Sequence, residues 1–147
     1  MGFLHRLFGG HARDLETAVE SARWSDPKAL NDLALKHIIG EGVRKDHKKA
    51  MELLTRSAEL GYASAQYSLG NAYYLGDIAP TKDYVRAYAW FSLFAASARR
   101  GSWMGAGQRD DLEKLMTPEQ IAEAKSLSIE LQARIDAMKA QPKVIMR

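Results

Sequence analysis

Apolar residues recur three and four positions apart along most of the chain, which is the spacing of an amphipathic helix. No stretch alternates apolar and polar residues over the length of a strand. The pattern therefore predicts an all-α protein. The expected helices span residues 12–24, 27–39, 46–60, 63–75, 83–98, 107–116 and 118–140. Apolar side chains surround nearly the whole circumference of the helix at 83–98, so we expect it in the middle of the core.

Capping residues support most of these helix ends. An Asp-Pro pair at 26–27 and a Thr-Pro pair at 117–118 each place a side-chain acceptor before a proline in the first helical position. Gln120 follows the second pair at the spacing of a capping box. Glycines follow apolar runs at positions 40, 61 and 76, where a left-handed helix end favours a residue without Cβ.

An internal repeat indicates how the helices are arranged. Residues 29–40 align with residues 65–76 at an offset of 36, and residues 46–50 align with residues 83–87 at an offset of 37. A period in the middle thirties is typical of one helical hairpin per repeat, with hairpins stacked so that neighbours bury what one hairpin leaves exposed. The sequence therefore predicts a short α-solenoid of antiparallel helical hairpins.

The repeated residues resemble the Sel1-like repeats, which are relatives of the tetratricopeptide repeats. The resemblance covers residues 29–140, and the stretch at 116–124 resembles the ending of many bacterial members. The first repeat departs from the pattern with Leu33-Ala34 and His37, and the second departs from it over residues 76–80, which predicts a longer and differently shaped loop. The signature positions in this chain are Gly40, Gly42, Ala65, Leu69, Gly70, Tyr73, Gly76 and Trp90.

The repeats and the resemblance together suggest a domain organisation. Residues 1–28 lack the repeat pattern and are expected to provide an N-terminal segment and a capping helix, since the end of a solenoid must hide one apolar face. The repeat domain is expected to span 29–140 and to be followed by a tail at 141–147. Within that domain, the expected parts are repeats at 29–64 and 65–106 and C-terminal helices at 107–140.

The resemblance implies a protein–protein interaction module, often an adaptor, without chemistry of its own and without a cofactor. A curved stack of hairpins presents a groove lined by the first helix of each repeat, where a protein or peptide partner can bind. Tyr74 and Ile38 have a competing interpretation, in which they pack on the adjacent hairpin. The residues expected to point into the groove are Asn31, Leu35, Tyr67, Asn71 and Tyr74.

Composition and charge exclude several kinds of functional site and binding partner. The chain has 147 residues and no cysteine, which excludes a disulfide framework, a thiolate metal site and a cysteine nucleophile. No run approaches the roughly 18 apolar residues of a membrane-spanning helix. The net charge of +3 is spread along the chain, and the basic run at 44–49 is interpreted as a solvated loop and helix start, so no nucleic-acid partner is expected. Because secreted relatives carry disulfides, the absence of cysteine favours a cytoplasmic location.

The residues whose spacing could indicate catalysis or metal binding have ordinary structural explanations. Ser25 and Lys28 have the S-x-x-K spacing of penicillin-recognising enzymes, but the partner motifs are missing and Asp26 explains the site as a helix cap. Histidines 5, 11, 37 and 47 lack a metal-ligand spacing, so no metal site is expected. The carboxylates at 110, 111 and 113 are expected near the start of a helix, where negative charge interacts favourably with the helix dipole. Glycines 101, 105 and 107 are expected to bend the junction, with Trp103 either tucked beneath it or exposed.

The first ten residues leave two interpretations open. Apolar residues gather on one side of residues 1–10, with His5 and Arg6 opposite them. This segment could dock onto the first hairpin, or it could form a small helix on a membrane surface or within a partner. The second possibility gives the alternative function, a regulatory protein acting at a membrane surface. The apolar residues concerned are Phe3, Leu4, Leu7 and Phe8.

Overall fold

The computed structural model describes residues 24–97 and 102–141. Over these residues the chain forms six helices and no strand, which confirms the predicted all-α class. The segment at 1–10 and the expected helix at 12–24 lie outside the described residues, except for Trp24, which is helical. The six helices are α1 (Pro27–Ile39), α2 (His47–Glu59), α3 (Ala63–Leu75), α4 (Tyr84–Ser97), α5 (Ser102–Glu113) and α6 (Pro118–Ala140).

The helices begin where the sequence provides a side-chain acceptor. Asp26 accepts hydrogen bonds from two backbone N–H groups at the start of α1, and Asp46 accepts one from the backbone of Lys49 at 3.0 Å. Thr117 and Gln120 form the predicted capping box at the start of α6. Each of these contacts satisfies a backbone donor that the first turn of a helix leaves unpaired.

The two repeats have equivalent loops. The Asp46 backbone N–H donates to the His37 carbonyl at 2.9 Å, and the Asp83 backbone N–H donates to the Tyr73 carbonyl at the same distance. Gly40 and Gly76 both adopt left-handed backbone conformations, with φ of 81° and 67°, at the ends of α1 and α3. These matching contacts confirm the repeat, and the loop of the second repeat is one residue longer, as predicted.

Consecutive helices pack side by side as antiparallel hairpins. The Ser57 hydroxyl near the end of α2 donates to the carbonyl of Pro27 at the start of α1, at 2.6 Å. The hydroxyl of Ser97 at the end of α4 donates to Gln66 near the start of α3, at 3.2 Å. Because both hairpins are antiparallel, α1 and α3 run in the same direction. Their C-terminal ends therefore lie on the same edge of the stack.

The last helix does not continue this series. It packs mainly along α4 and reaches the end of α2. Leu131 and Ile135 of α6 join the core cluster that contains Leu54 and Trp90. A second cluster links α4, α5 and the start of α6 around Phe91. The predicted central position of α4 is confirmed, because both clusters include its side chains.

The junction before α5 differs from the expectation. The helix begins at Ser102 and ends at Glu113, rather than spanning 107–116. Gly105 and Gly107 lie within the helix and do not bend a junction, whereas Gly101 lies outside the described residues. The backbone of α5 approaches α4 so closely at Gly105 that a Cβ would lie 2.8 Å from the Phe91 carbonyl oxygen. Close helix packing, rather than a turn, therefore requires this glycine.

The earlier start of α5 also changes the interpretation of its charges. Asp110, Asp111 and Glu113 lie in the last turn of α5, so the predicted favourable interaction with a helix N-terminus is wrong. Asp111 instead contacts Lys114 at 3.4 Å, and Glu113 accepts a hydrogen bond from the Tyr88 hydroxyl at 2.9 Å.

A candidate protein-binding strip on the first helices

The candidate site is a strip of side chains on α1 and α3, the first helices of the two repeats. We call it the first-helix strip and define it by the predicted residues Leu35, Tyr67, Asn71 and Tyr74. Leu35 is 40% exposed and Tyr74 is 36% exposed. The fold therefore leaves part of the predicted surface open to a partner.

Asn31 was predicted to belong to this strip, and the structure contradicts its expected outward position. The side chain is only 5% exposed, and its Oδ1 atom is buried without a hydrogen-bond donor. Leu30 and Ala34 are also buried, so Asn31 lies on the inward side of α1. The prediction failed because it took the exposed side of α1 from the repeat equivalence with Tyr67, whereas at this position α1 is covered by its neighbours.

Tyr67 and Asn71 are half-buried because α5 lies beside them. The Gln108 side-chain amide of α5 donates to the Tyr67 hydroxyl at 3.2 Å and to Asn71 Oδ1 at 3.4 Å. The Tyr67 ring also packs against Phe91 and Phe94 of α4, with ring centroids 5.9 and 4.9 Å away. These contacts fix both polar groups in place before any partner binds, which reduces the entropy that binding would cost.

The competing interpretation of Tyr74 and Ile38 is resolved separately for each residue. Ile38 is partly buried and packs against the core cluster that contains Leu54 and Trp90. Tyr74 has a ring contact with Tyr84 at 6.0 Å between centroids, yet it keeps a third of its surface exposed. Ile38 is therefore a packing residue, whereas Tyr74 can both pack and present its ring.

Sequence reasoning missed two apolar residues next to the strip. Ile39 is 69% exposed and Leu75 is 53% exposed, and each directly precedes the left-handed glycine that ends its helix. They occupy equivalent positions at the repeat offset of 36. The sequence shows an apolar residue directly before the cap glycine in both repeats, and this pattern could have been used to find Ile39 and Leu75. Both residues lie on the edge of the stack where the parallel helices α1 and α3 end.

His37 and Lys28, which were considered for metal binding and catalysis, have structural partners. The ring of His37 donates from Nδ1 to the Arg44 carbonyl at 2.9 Å, so this histidine connects helix and loop. Lys28 contacts Asp32 at 2.7 Å, a partner that raises the pKa of the lysine. Within residues 24–97 and 102–141, no group of three His, Cys, Asp or Glu side chains could hold a metal ion. His5 and His11 lie outside the described residues.

In the described part of the chain, the pKa of Tyr88 is also shifted. Burial raises the pKa of Tyr88 to about 12, and the hydrogen bond to Glu113 adds to this shift. Tyr88 lies between α4 and α5, inside the second core cluster. Its altered pKa therefore reflects packing of α5 on α4 rather than a catalytic environment.

Among the described helices, none is long and apolar enough to cross a membrane.

The fold and the strip define a class, an α-solenoid of helical hairpins. Comparison with known proteins gives the family, because residues 27–62 and 63–98 each match the Sel1 repeat. The chain is a Sel1-like repeat protein. Among solved structures it is similar to a protective antigen of uropathogenic Escherichia coli strains that displays an SLR fold, with 33% sequence identity and a TM-score of 0.62. The similarity covers 82% of this chain and 27% of the antigen, so the chain spans about a quarter of that protein's length.

Proposed function

We propose that the chain is an adaptor that binds a protein or peptide partner through the first-helix strip and performs no catalysis. Sel1 repeats generally mediate protein–protein interaction, and the chain carries two of them. The observation that carries the proposal is the pair of exposed apolar residues Ile39 and Leu75. They repeat at equivalent positions on parallel helices, beside Leu35 and Tyr74.

The chemistry of this surface suits a peptide-like ligand. Exposed leucine, isoleucine and tyrosine side chains provide apolar area, while the Asn71 amide and the Tyr67 hydroxyl provide hydrogen-bonding groups beside it. Aromatic side chains are enriched among the residues that dominate binding at protein interfaces. The absence of cysteine supports a cytoplasmic setting for the interaction.

The proposal can be tested by chemical cross-linking in the native cell, followed by affinity capture and mass spectrometry. We expect the wild-type chain to capture a stoichiometric partner, and we expect Leu35→Asp and Tyr74→Ala to lose it. A charge at Leu35 would be desolvated against an apolar partner surface, which is costly unless the charge is paired. Ile129→Asp is the matched control, because Ile129 is an exposed apolar residue on α6, outside the strip.

The thermal stability of each variant separates binding from folding. Substitutions at exposed positions usually change the free energy of unfolding by less than about 0.5 kcal/mol. Loss of partner capture with unchanged melting temperature supports the strip. Equal capture by wild type, Leu35→Asp and Tyr74→Ala would contradict it, as would unfolding of both strip variants, since that would make these residues part of the core.

A further inference from the structure

The loop that departs from the repeat pattern builds one wall of a cleft. Ala79 in this loop is buried, which anchors the loop and leaves Ile78 and Pro80 on either side of it. These two residues face one side of α2 across a cleft of about 700 Å³. The cleft is lined by Trp24, Lys48, Met51, Glu52, Thr55, Arg56, Glu59, Tyr73, Ile78 and Pro80.

This cleft differs in place from the first-helix strip. Its α2 residues recur three and four positions apart, so they form one face of that helix. The opposite face of α2 carries Leu53, Leu54 and Ala58, which are buried in the core. The corresponding side of α4 is covered by α6, but α6 reaches only the end of α2. Among the described residues, nothing covers this face of the second helix of the first repeat.

The cleft is lined by two cations and two carboxylates, but within the described residues the two cations lack ion-pair partners. In the described part of the chain, neither Lys48 nor Arg56 forms an ion pair, and Arg56 Nε is buried without a hydrogen-bond acceptor. Glu52 is paired with Lys49 at 3.9 Å. Glu59 lies one turn beyond Arg56 without pairing to it, at the end of the cleft nearest α6. Two unpaired cations therefore face one unpaired carboxylate.

We propose that this cleft binds an acidic peptide segment of a partner protein. An apolar side chain of the peptide would lie between Met51, Tyr73 and the Ile78 and Pro80 wall, and a neighbouring carboxylate would accept hydrogen bonds from Arg56. A buried N–H donor without a partner is costly, and a carboxylate satisfies it with a charge-assisted bond. The volume lies within the range of ligand-binding clefts, and most of the surface that lines this cleft is apolar, as is typical of them.

This inference concerns a second surface and does not depend on the first-helix strip. A partner could contact the two surfaces together, or each could bind a different segment. The departure from the repeat pattern would then serve peptide binding, because Ile78 and Pro80 provide the apolar wall of the cleft where the family pattern has a glycine and a valine. The basic residues at 44–49 also include one member of this site, Lys48, which the sequence analysis interpreted as part of a solvated stretch.

The test is selection of peptides from a phage-displayed random library on the immobilised full chain. We expect the selected peptides to be enriched in Asp or Glu next to Leu, Phe or Trp. A selected peptide, labelled with fluorescein and blocked at both ends, is then titrated against variants by fluorescence anisotropy. Arg56→Gln should weaken binding by about tenfold to hundredfold, the usual effect of losing a hydrogen bond to a charged group. Arg56→Lys should weaken it less, because the charge remains.

Control variants keep the result interpretable. Lys125→Gln removes an exposed cation from α6 and should leave the affinity unchanged. Ile78→Asp, on the loop, should weaken binding of the same peptide even if Arg56→Gln is poorly folded by circular dichroism. Selection without acidic enrichment, or wild-type affinity in both Arg56→Gln and Ile78→Asp, would overturn the proposal. So would loss of the peptide in Tyr74→Ala, since the peptide would then occupy the first-helix strip.

Discussion

Replacing Gly105 with alanine should destabilise the fold although Gly105 lies inside a helix. Replacing a mid-helix glycine with alanine ordinarily stabilises a protein by about 1 kcal/mol, because alanine restricts the unfolded chain and favours the helix. At Gly105 the added Cβ would lie 2.8 Å from the Phe91 carbonyl oxygen, 2.9 Å from Phe94 Cδ1 and 3.1 Å from the Ala95 nitrogen. Two of these atoms belong to the backbone of α4, so they cannot move aside as a side chain would.

The net effect of Gly105→Ala follows from the two opposing contributions. Overpacking a well-filled contact costs about 1–3 kcal/mol, and the backbone neighbours place this position near the upper end. After the gain in helix propensity, we expect Gly105→Ala to lower the free energy of unfolding by about 1–2 kcal/mol. For a chain of this length, that corresponds to a fall in melting temperature of about 3–6 °C.

Gly107 provides a matched control on the same helix. It is exposed, and a Cβ there would meet nothing within 4 Å. Gly107→Ala should therefore raise the free energy of unfolding by about 0.5–1 kcal/mol. Thermal unfolding followed by circular dichroism measures both variants under the same conditions. If both substitutions raise the melting temperature equally, the close packing of α5 on α4 at Gly105 is refuted.

Three further predictions address other features of the fold. Asp46→Ala should lower the free energy of unfolding by about 1 kcal/mol in urea denaturation, since α2 loses its N-terminal cap, whereas Asp46→Asn should lose much less. Gly70→Ala should also destabilise, by about 1–3 kcal/mol in the same assay, because its Cβ would lie 2.5 Å from the Phe91 ring; a neutral result would contradict that packing. The Tyr88 contribution to stability should be complete below pH 10 and disappear as the pH rises to about 12, because the folded-state pKa is raised above the unfolded value of 10.0. Over that range wild type should lose about 2–3 kcal/mol more than Tyr88→Phe in urea titrations, and parallel pH curves for the two proteins would contradict the shift.

The repeated hairpins could be predicted because their ends are chemically marked. The predicted ranges at 27–39 and 63–75 match α1 and α3, since Pro27 and the glycines at 40 and 76 specify where the chain enters and leaves each helix. These signals depend on neighbouring residues only. The repeat offset then indicated that consecutive hairpins stack, because equivalent residues must make equivalent contacts.

The parts that could not be predicted depend on contacts between distant elements. Glycine is a poor helix former, so its density at 101–107 indicated a bend, whereas packing against α4 overrides that preference at Gly105. The placement of α6 along α4 likewise follows from which apolar face remained uncovered after the hairpins stacked. The apolar pattern of α6 shows that it needs a neighbour, but it does not specify which one.

The candidate site was predicted only in part for the same reason. Helical periodicity placed Leu35 and Tyr74 on an outward side, and both are exposed. Periodicity could not indicate that neighbouring helices cover Asn31, or that Gln108 of α5 would bind Tyr67 and Asn71. The strip depends on α5, whose position beside α3 could not be predicted from the sequence. The cleft beside Arg56 was missed because its two walls come from different repeats.

The most direct test of the central claim is the affinity of the purified partner for three forms of the chain, measured by isothermal titration calorimetry. Leu75 is exposed beside the first-helix strip, and Ile129 is similarly exposed on α6. We predict that Leu75→Asp weakens binding by about tenfold or more, the effect of losing an important interface side chain, whereas Ile129→Asp binds like wild type. Wild-type affinity in Leu75→Asp, with binding lost in Ile129→Asp, would contradict the claim that the partner is bound by the first helices.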